Sequence, residues 1–565
     1  MNIQLTKLTP SSCWLLFTAL FHIQSCGVCA EKTYDVDPIA TVTQGQLRGK
    51  FGESRNGKDY LEFLGIPYAQ VTETFKPAAP PIKWDGIREA TSFGDRCMQF
   101  DKNTHKVIGS ESCLVLNIYR PMEMEKVLPC LVYIHGGAFM FGSGEDYGPQ
   151  YFMDEDIILI TFNYRLGALG FLNTGDEMYP GNLGMKDQVL ALRWIRDNIA
   201  SFGGDPQKVT IFGDSSGSAS VSYHILSPMS RGLFSNAISS SGNSLCPWAF
   251  VDNPKSVAKR LSFSIGCPTK NPRYLVACLM NKEPSEIGWD DDPIVPFAPS
   301  IEDSRKVLGT VFLPDHPISM LESGNFNRVP WITGVNDQEG ATLYSAIILN
   351  STELTEEFNK NWHKIAPFAL GYQESEESDL EATNDIRKYY FGTQPVGLET
   401  RDNLTNMFSD RNFFQCTKTA ALLHARYSPV HMYYFTQTGE MSWLDIFKIP
   451  KDFGYHGVAH SDPLQFFFKL HNFPEIKAES TFSVFSQRLV KLWASFVESG
   501  KPTYTWGEFL EWNPMQLSEL SGLSPVKYLQ LDGSSSRVIM EPFTERLDFW
   551  ESPPINLTNI HIAPL

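Results

Sequence analysis

The run Val209-Thr210-Ile211-Phe212 passes directly into Gly213-Asp214-Ser215-Ser216-Gly217, and the small residues Ser218-Ala219-Ser220 then open a helical stretch. Strand, turn and helix must follow one another with no intervening loop, and few backbones accept that order. The turn has to be sharp enough to push the Ser215 hydroxyl out at the end of a sheet, with the N-terminus of the next helix aimed at it. A Gly-x-Ser-x-Gly pattern by itself arises by chance in long chains, so the preceding strand and the run of small residues are what make it specific. Ser215 is therefore a candidate nucleophile on a strained elbow.

Short β-branched and aliphatic runs at Val127 to Ile134, Ile157 to Phe162 and Val209 to Phe212 are bounded by Gly, Pro or Asp and predict buried strands. Between the second and third, Leu190, Leu192, Trp194, Ile195 and Ile199 give the segment Met185 to Ile199 one apolar helical face. This strand-helix-strand alternation predicts a mostly parallel sheet with helices on both faces. Arg488 to Glu498 is expected to be helical, and the acidic Gln373 to Asp385 a solvated helix or loop. Phe297, Phe391 and Phe466-Phe467-Phe468 are expected to fill the core rather than line a gorge. No repeat or linker divides the chain after residue 30.

His135-Gly136-Gly137-Ala138-Phe139 follows the strand ending at Ile134, at the same sheet edge as Ser215. Acyl transfer passes through a tetrahedral oxyanion, best stabilised by backbone amides already turned inward. The amides of Gly137, Ala138 and Ser216 are the candidate donors. A serine hydroxyl also needs an imidazole to take its proton, and the imidazole needs a carboxylate to fix its tautomer. The Gly-rich loop Gly454-Tyr455-His456-Gly457-Val458-Ala459-His460-Ser461-Asp462 offers His456 and His460. A metal reading of His456, His460 and Asp462 is disfavoured, because the two glycines and Pro463 oppose the helix that would align them. Trp331-Ile332-Thr333-Gly334-Val335-Asn336-Asp337-Gln338-Glu339-Gly340 is a short strand opening into a loop with two acids, and spacing leaves Asp337 and Glu339 equal.

Lys7, the apolar run Cys13 to Phe21 and the small residues before Ala30 form a signal-peptide pattern, so 1–30 is read as a leader cleaved near Ala30. The C-terminus carries neither an apolar tail for lipid anchoring nor a retention motif, and a secreted protein without a membrane anchor is expected. Acceptor triplets at Asn350, Asn403 and Asn556 fit a glycoprotein. Ten cysteines, less the three in the leader, leave an odd seven, so at least one is unpaired. Cys97 with Cys113, and Cys267 with Cys278, are spaced to close small loops, whereas Cys130 lies in a buried strand as a small apolar residue. No spacing matches a zinc site. A net charge of -17 argues against nucleic-acid binding, which needs clustered Lys and Arg.

These pieces resemble the type-B carboxylesterase and cholinesterase family over nearly the whole chain after the leader. The stretch Phe202-Gly203-Gly204-Asp205 through Val209-Thr210-Ile211-Phe212-Gly213-Asp214-Ser215-Ser216-Gly217 fits its serine signature. Phe63-Leu64-Gly65-Ile66-Pro67-Tyr68-Ala69, Asn163-Tyr164-Arg165-Leu166-Gly167, Gly181-Asn182-Leu183-Gly184 and Ser240-Ser241-Gly242 match as well. The resemblance implies a single α/β-hydrolase domain over 31–565 and a Ser215-Glu339-His460 triad, setting aside Asp337 and His456. It also implies Ser241 as a polar partner beneath the triad, the pairs Cys97–Cys113 and Cys267–Cys278, a small-molecule ester substrate, and no cofactor.

Several departures narrow the resemblance. Ser112 and Val115 differ from the usual cysteine signature around Cys113. Cys416 has no late partner near Leu547, so it is expected to be a free thiol. The tryptophan that binds choline in cholinesterases is replaced by the stretch around Asn103 and Thr104, so choline esters are not expected substrates. His135 and Ala138 are closer to insect-type carboxylesterases and juvenile hormone esterases, yet the elbow lacks the Gln common among hormone esterases. A non-catalytic adhesion relative is the other class considered; such chains lose a triad member and carry a membrane span.

Overall fold

An eleven-stranded sheet runs through the computed structural model of the chain, and the three strands expected from sequence lie in it. The structure describes residues 36–552 except 102–103, 176–178, 269–271, 283–286, 288–296, 306–309, 373–376 and 504–510. The leader, Asn103 and Asn556 lie outside the described residues. From Pro38 onward the chain forms one compact unit.

In chain order the sheet strands are β1 (Lys50–Glu53), β2 (Asp59–Pro67), β3 (Val115–Pro121), β4 (Leu128–Ile134), β5 (Ile158–Phe162), β6 (Gly204–Asp214), β7 (Asn236–Ser240), β8 (Trp331–Asn336), β9 (Val430–Phe435), β10 (Lys527–Leu531) and β11 (Arg537–Met540). Their spatial order is β11-β10-β9-β8-β7-β6-β4-β5-β3-β2-β1. Neighbours from β10 to β5 pair in parallel, and the strands at both edges are antiparallel. The mostly parallel sheet expected from the strand-helix alternation is therefore present.

β4 shows why its sequence is apolar throughout. Side chains alternate across a strand, so Cys130, Val132 and Ile134 enter the core on one face while Leu131 and Tyr133 enter the core on the other. Helix α1 (Leu183–Asn198) crosses between β5 and β6 and covers the first face, together with α2 (Ser216–Leu226). It is buried more fully than one apolar stripe suggests: Lys186, Asp187 and Gln188 are buried too. Buried charges need partners, and Lys186 Nζ meets Glu302 at 2.7 Å while Arg165 meets Asp187 at 2.7 Å.

The second face is covered by Phe466, Phe467 and Phe468 and by a helix over Ser483–Ser499, which contains the expected Arg488 to Glu498. Phe468 packs 4.6 Å from Tyr133 and Phe467 packs 5.5 Å from Phe212, so this run is core, as are Phe297 and Phe391. Between β8 and β9 a group of helices gathers an apolar cluster of its own around Trp362, Phe391 and Phe408. Helix α3 (Glu377–Phe391) belongs to it. The acidic stretch read as a solvated helix or loop thus buries one side, with Ala382, Thr383 and, just beyond it, Ile386 inside, while Glu381 is exposed.

Among the described residues three disulfides are present: Cys97–Cys113, Cys267–Cys278 and Cys246–Cys416. The third corrects the expectation of a free Cys416 thiol. Its partner lies 170 residues upstream, in the loop after β7, a separation at which spacing carries no information about proximity. Leu547 is instead a buried apolar residue. Cys130 is the free cysteine among the described residues; burial pushes its thiol up to about 12, so it is inert packing.

Closing a loop of this length restricts the unfolded chain strongly. Cys416→Ala is expected to lower unfolding stability by roughly 3–5 kcal/mol in non-reducing denaturant titration. Alkylation of the native protein is expected to leave Cys130, Cys246 and Cys416 unlabelled.

Candidate active site

The site forms where the chain order of the sheet reverses. From β4 the chain moves outward to β5, and from β6 it moves the opposite way to β7, so a crevice opens between the carboxyl ends of β4 and β6. Ile134 pairs with Gly213 at those ends, which sets the loop starting at His135 beside the loop containing Ser215.

Ser215 sits between β6 and α2 with φ 57° and ψ −124°, a backbone state that costs roughly 1–3 kcal/mol for a residue with a side chain. Its N–H donates to the Ser240 carbonyl and its own carbonyl accepts from Ala219 N–H, each at 2.9 Å, so both sides of the strained turn are held. A Cβ at Gly217 would strike the Ile134 carbonyl, and one at Gly213 the Gly217 carbonyl. The helix can reach the end of β4 only because those positions are bare.

On the facing loop, Ala138 and Phe139 take left-handed φ values of 55° and 59°, turning the chain around the crevice. The loop is braced by its surroundings: Gly167 N–H donates to the Phe139 carbonyl at 2.7 Å, and Met140 N–H to the Gly137 carbonyl at 2.8 Å. The N–H groups of Gly137, Ala138 and Ser216 donate to no acceptor among the described residues. His135 is buried, stacked 4.4 Å from Tyr164, and burial lowers its pKa to about 4; it is a neutral support for the loop.

His460 Nδ1 lies 2.7 Å from Glu339 Oε2, and His460 Nε2 is buried without a partner among the described residues. The other oxygen of Glu339 accepts the Asn336 N–H at 2.8 Å, so the fully buried carboxylate has both oxygens engaged. Asn336 Nδ2 also donates to the Ala459 carbonyl at 3.1 Å, tying the end of β8 to the residue before His460. Spacing left Asp337 and Glu339 equal, and His456 equal to His460. The structure brings Glu339 and His460 together, while His456 is exposed. Burial opposes a charge on His460, but the hydrogen bond and negative charge of Glu339, with Asp214 and Asp462 adding, raise it above the ordinary imidazole value of 6.5.

Ser461 Oγ donates to Asp214 Oδ2 at 2.5 Å, so the residue after His460 is bonded to the residue before Ser215. Burial raises Asp214 to about 6. Ser241 is buried next to Ser240, but its Oγ has no partner among the described residues; its N–H donates to the Gly334 carbonyl at 3.0 Å. Asp214, Ser461 and Asn336 support the site without being singled out by any sequence pattern. Asp214 alone had a visible cue, its place inside the elbow.

Residues 36–550 match the Carboxylesterase family. The chain belongs to the carboxylesterase family. This carboxylesterase is 36% identical to a carboxylic ester hydrolase of Bombus ignitus, covering 93% of this chain and 95% of that one. It is 34% identical to a juvenile hormone esterase of Tribolium castaneum, over 90% and 91% of the two chains. The crystal structure of juvenile hormone esterase from Manduca sexta, with OTFP covalently attached, superposes with a TM-score of 0.80 at 24% identity, over 93% and 100%, which establishes the α/β-hydrolase fold. Carboxylic ester hydrolysis is the activity of this carboxylesterase.

The contact between elbow and β4 leaves no room for a methyl group. Gly217→Ala is expected to lose at least about 3 kcal/mol in denaturant unfolding, or to yield no folded protein.

Proposed function

We propose that Ser215 is the nucleophile of this ester hydrolase, His460 its general base and acid, and Glu339 the carboxylate that orients the imidazole. The observation that carries the reading is the 2.7 Å contact from His460 Nδ1 to Glu339, with Nε2 left free. A proton on Nδ1, held by the carboxylate, leaves the Nε2 lone pair to accept the Ser215 proton. Ser215 Oγ then bonds to the ester carbonyl carbon as the carbonyl oxygen takes up negative charge. The amides of Gly137, Ala138 and Ser216 receive that charge, each without another acceptor among the described residues. Collapse of the intermediate breaks the bond to the alcohol oxygen, which leaves with the proton from Nε2. Water, deprotonated by the same nitrogen, attacks the acyl-enzyme, and Ser215 regains its proton as the acid departs.

The physiological setting proposed is extracellular. Support comes from the leader-like pattern of 1–30 and from three disulfides. Asn350 and Asn403 are exposed, as glycan acceptors must be. Among the described residues no helix is long and apolar enough to cross a membrane. The substrate reading is a carboxylesterase of broad ester range rather than a dedicated juvenile hormone esterase. The Bombus and Tribolium relatives are almost equally similar, and the elbow carries Asp214 where hormone esterases commonly have Gln.

Ser215→Ala is expected to cut kcat for p-nitrophenyl esters by a factor on the order of 10³ or more and to abolish fluorophosphonate labelling; retained labelling overturns the assignment. The pH profile of kcat/KM is expected to show its acid limb above 6.5, since the imidazole must be neutral to act as base and its pKa is raised. Glu339→Gln is expected to move that limb down. Specificity constants are expected to favour short naphthyl esters over juvenile hormone, with the opposite order pointing to a hormone esterase.

A further inference from the structure

The loop carrying His460 touches three carboxylates besides Glu339, and each grips a different neighbour of the imidazole. Asp214 accepts from Ser461 Oγ, Asp462 accepts the Ala459 N–H at 2.9 Å, and Asp337 accepts the Val458 N–H at 2.6 Å. Asp214 and Asp462 belong to the elbow and to the loop itself. Asp337 comes from the loop after β8 that also carries Glu339, so it joins the two halves of the acid-base pair.

The contact is shaped from both sides. Gly457 has φ 102°, which favours glycine, and a Cβ there would lie 2.5 Å from Asp337 Oδ2. A larger residue at 457 would have to push the carboxylate aside and adopt a strained φ, so the close approach favours glycine. Next to it Gln338 N–H donates to the Val458 carbonyl at 3.1 Å, and Gln338 and Ala459 form a parallel bridge. Asp337 closes this short two-chain contact at the end nearer Gly457. A solvated loop acid would keep its ordinary pKa; burial instead raises the Asp337 carboxyl to about 7 against the pull of the Val458 N–H.

We infer that Asp337 is a positioning residue for the base, holding Gly457 and Val458 against the loop after β8 so that His460 Nδ1 stays in register with Glu339. This rests on His460 acting as the base. The register matters because Glu339 is fully buried and cannot follow a displaced imidazole. A shift of His460 by about 1 Å would break the 2.7 Å contact that orients the imidazole in the proposed mechanism.

The test compares Asp337→Ala, Asp337→Asn and Gly457→Ala in the full-length protein, with His460→Ala as reference. Asp337→Ala and Gly457→Ala are expected to lower kcat roughly 10-fold to 100-fold with KM within about twofold. Their acid limb is expected to fall toward the ordinary imidazole value, because a loosened contact to Glu339 no longer raises His460. Asp337→Asn keeps an oxygen that can accept the Val458 N–H and is expected to recover most of the rate and the limb. Parental kcat and an unmoved limb in Asp337→Ala would overturn the inference, as would a loss of rate with the limb unmoved. If Asp337→Ala fails to fold, Asp337→Asn decides: a rate as low as that of Gly457→Ala also overturns it. An active His460→Ala would refute the base assignment instead, so the two failures are distinguishable.

Discussion

The approach of α2 to the end of β4 is the constraint on which the site depends. With no side chain at Gly217, the helix that begins after Ser215 lies against the Ile134 carbonyl, and the elbow has nowhere to relax. The same contact sets the His135 loop beside Ser215, so Ser215 and the Gly137 and Ala138 amides are fixed by one packing event. The strain at Ser215 persists because hydrogen bonds to Ser240 and Ala219 and the sheet below over-determine it. A packed core on both faces of β4 makes that sheet stiff enough to hold the turn.

The proposed acid and base come from further away. Glu339 stands after β8 and His460 in a loop after β9, and what joins them is a set of polar contacts between loops rather than apolar packing. Asn336 serves both, with its N–H on Glu339 and its side chain on Ala459. Burying a carboxylate and an imidazole together is costly unless their polar atoms are engaged; both oxygens of Glu339 and Nδ1 of His460 have partners, while His460 Nε2 has none among the described residues. That nitrogen is the one the proposed mechanism uses.

Much of the site was legible in the chain because its parts are local. The elbow and the His135 to Phe139 loop are contiguous segments whose residue types follow from the backbone they must adopt. The choice between Asp337 and Glu339 was not legible from spacing. Two residues apart in a loop, they point to different neighbours, and only the fold decides which meets an imidazole. The same holds for His456 and His460. The Cys246–Cys416 bond is not legible in the sequence, because no cysteine stands near Leu547 and the partner lies 170 residues upstream, in the loop after β7. The acidic stretch after Gln373 was half misread, since a charged outer face conceals a few buried residues at helical spacing.

The chain by itself determined the strand-turn-helix around Ser215, the strand-helix-strand alternation and the Gly-rich loop after His135, because each depends on residues close to one another in the chain. Spacing left the Glu339–His460 pairing open and the family resemblance implied it; tertiary structure alone decided that Cys246 joins Cys416 and that Asp337 holds the loop of His460. Those pairings link segments more than a hundred residues apart, and their distances are set by how the sheet brings its carboxyl ends together.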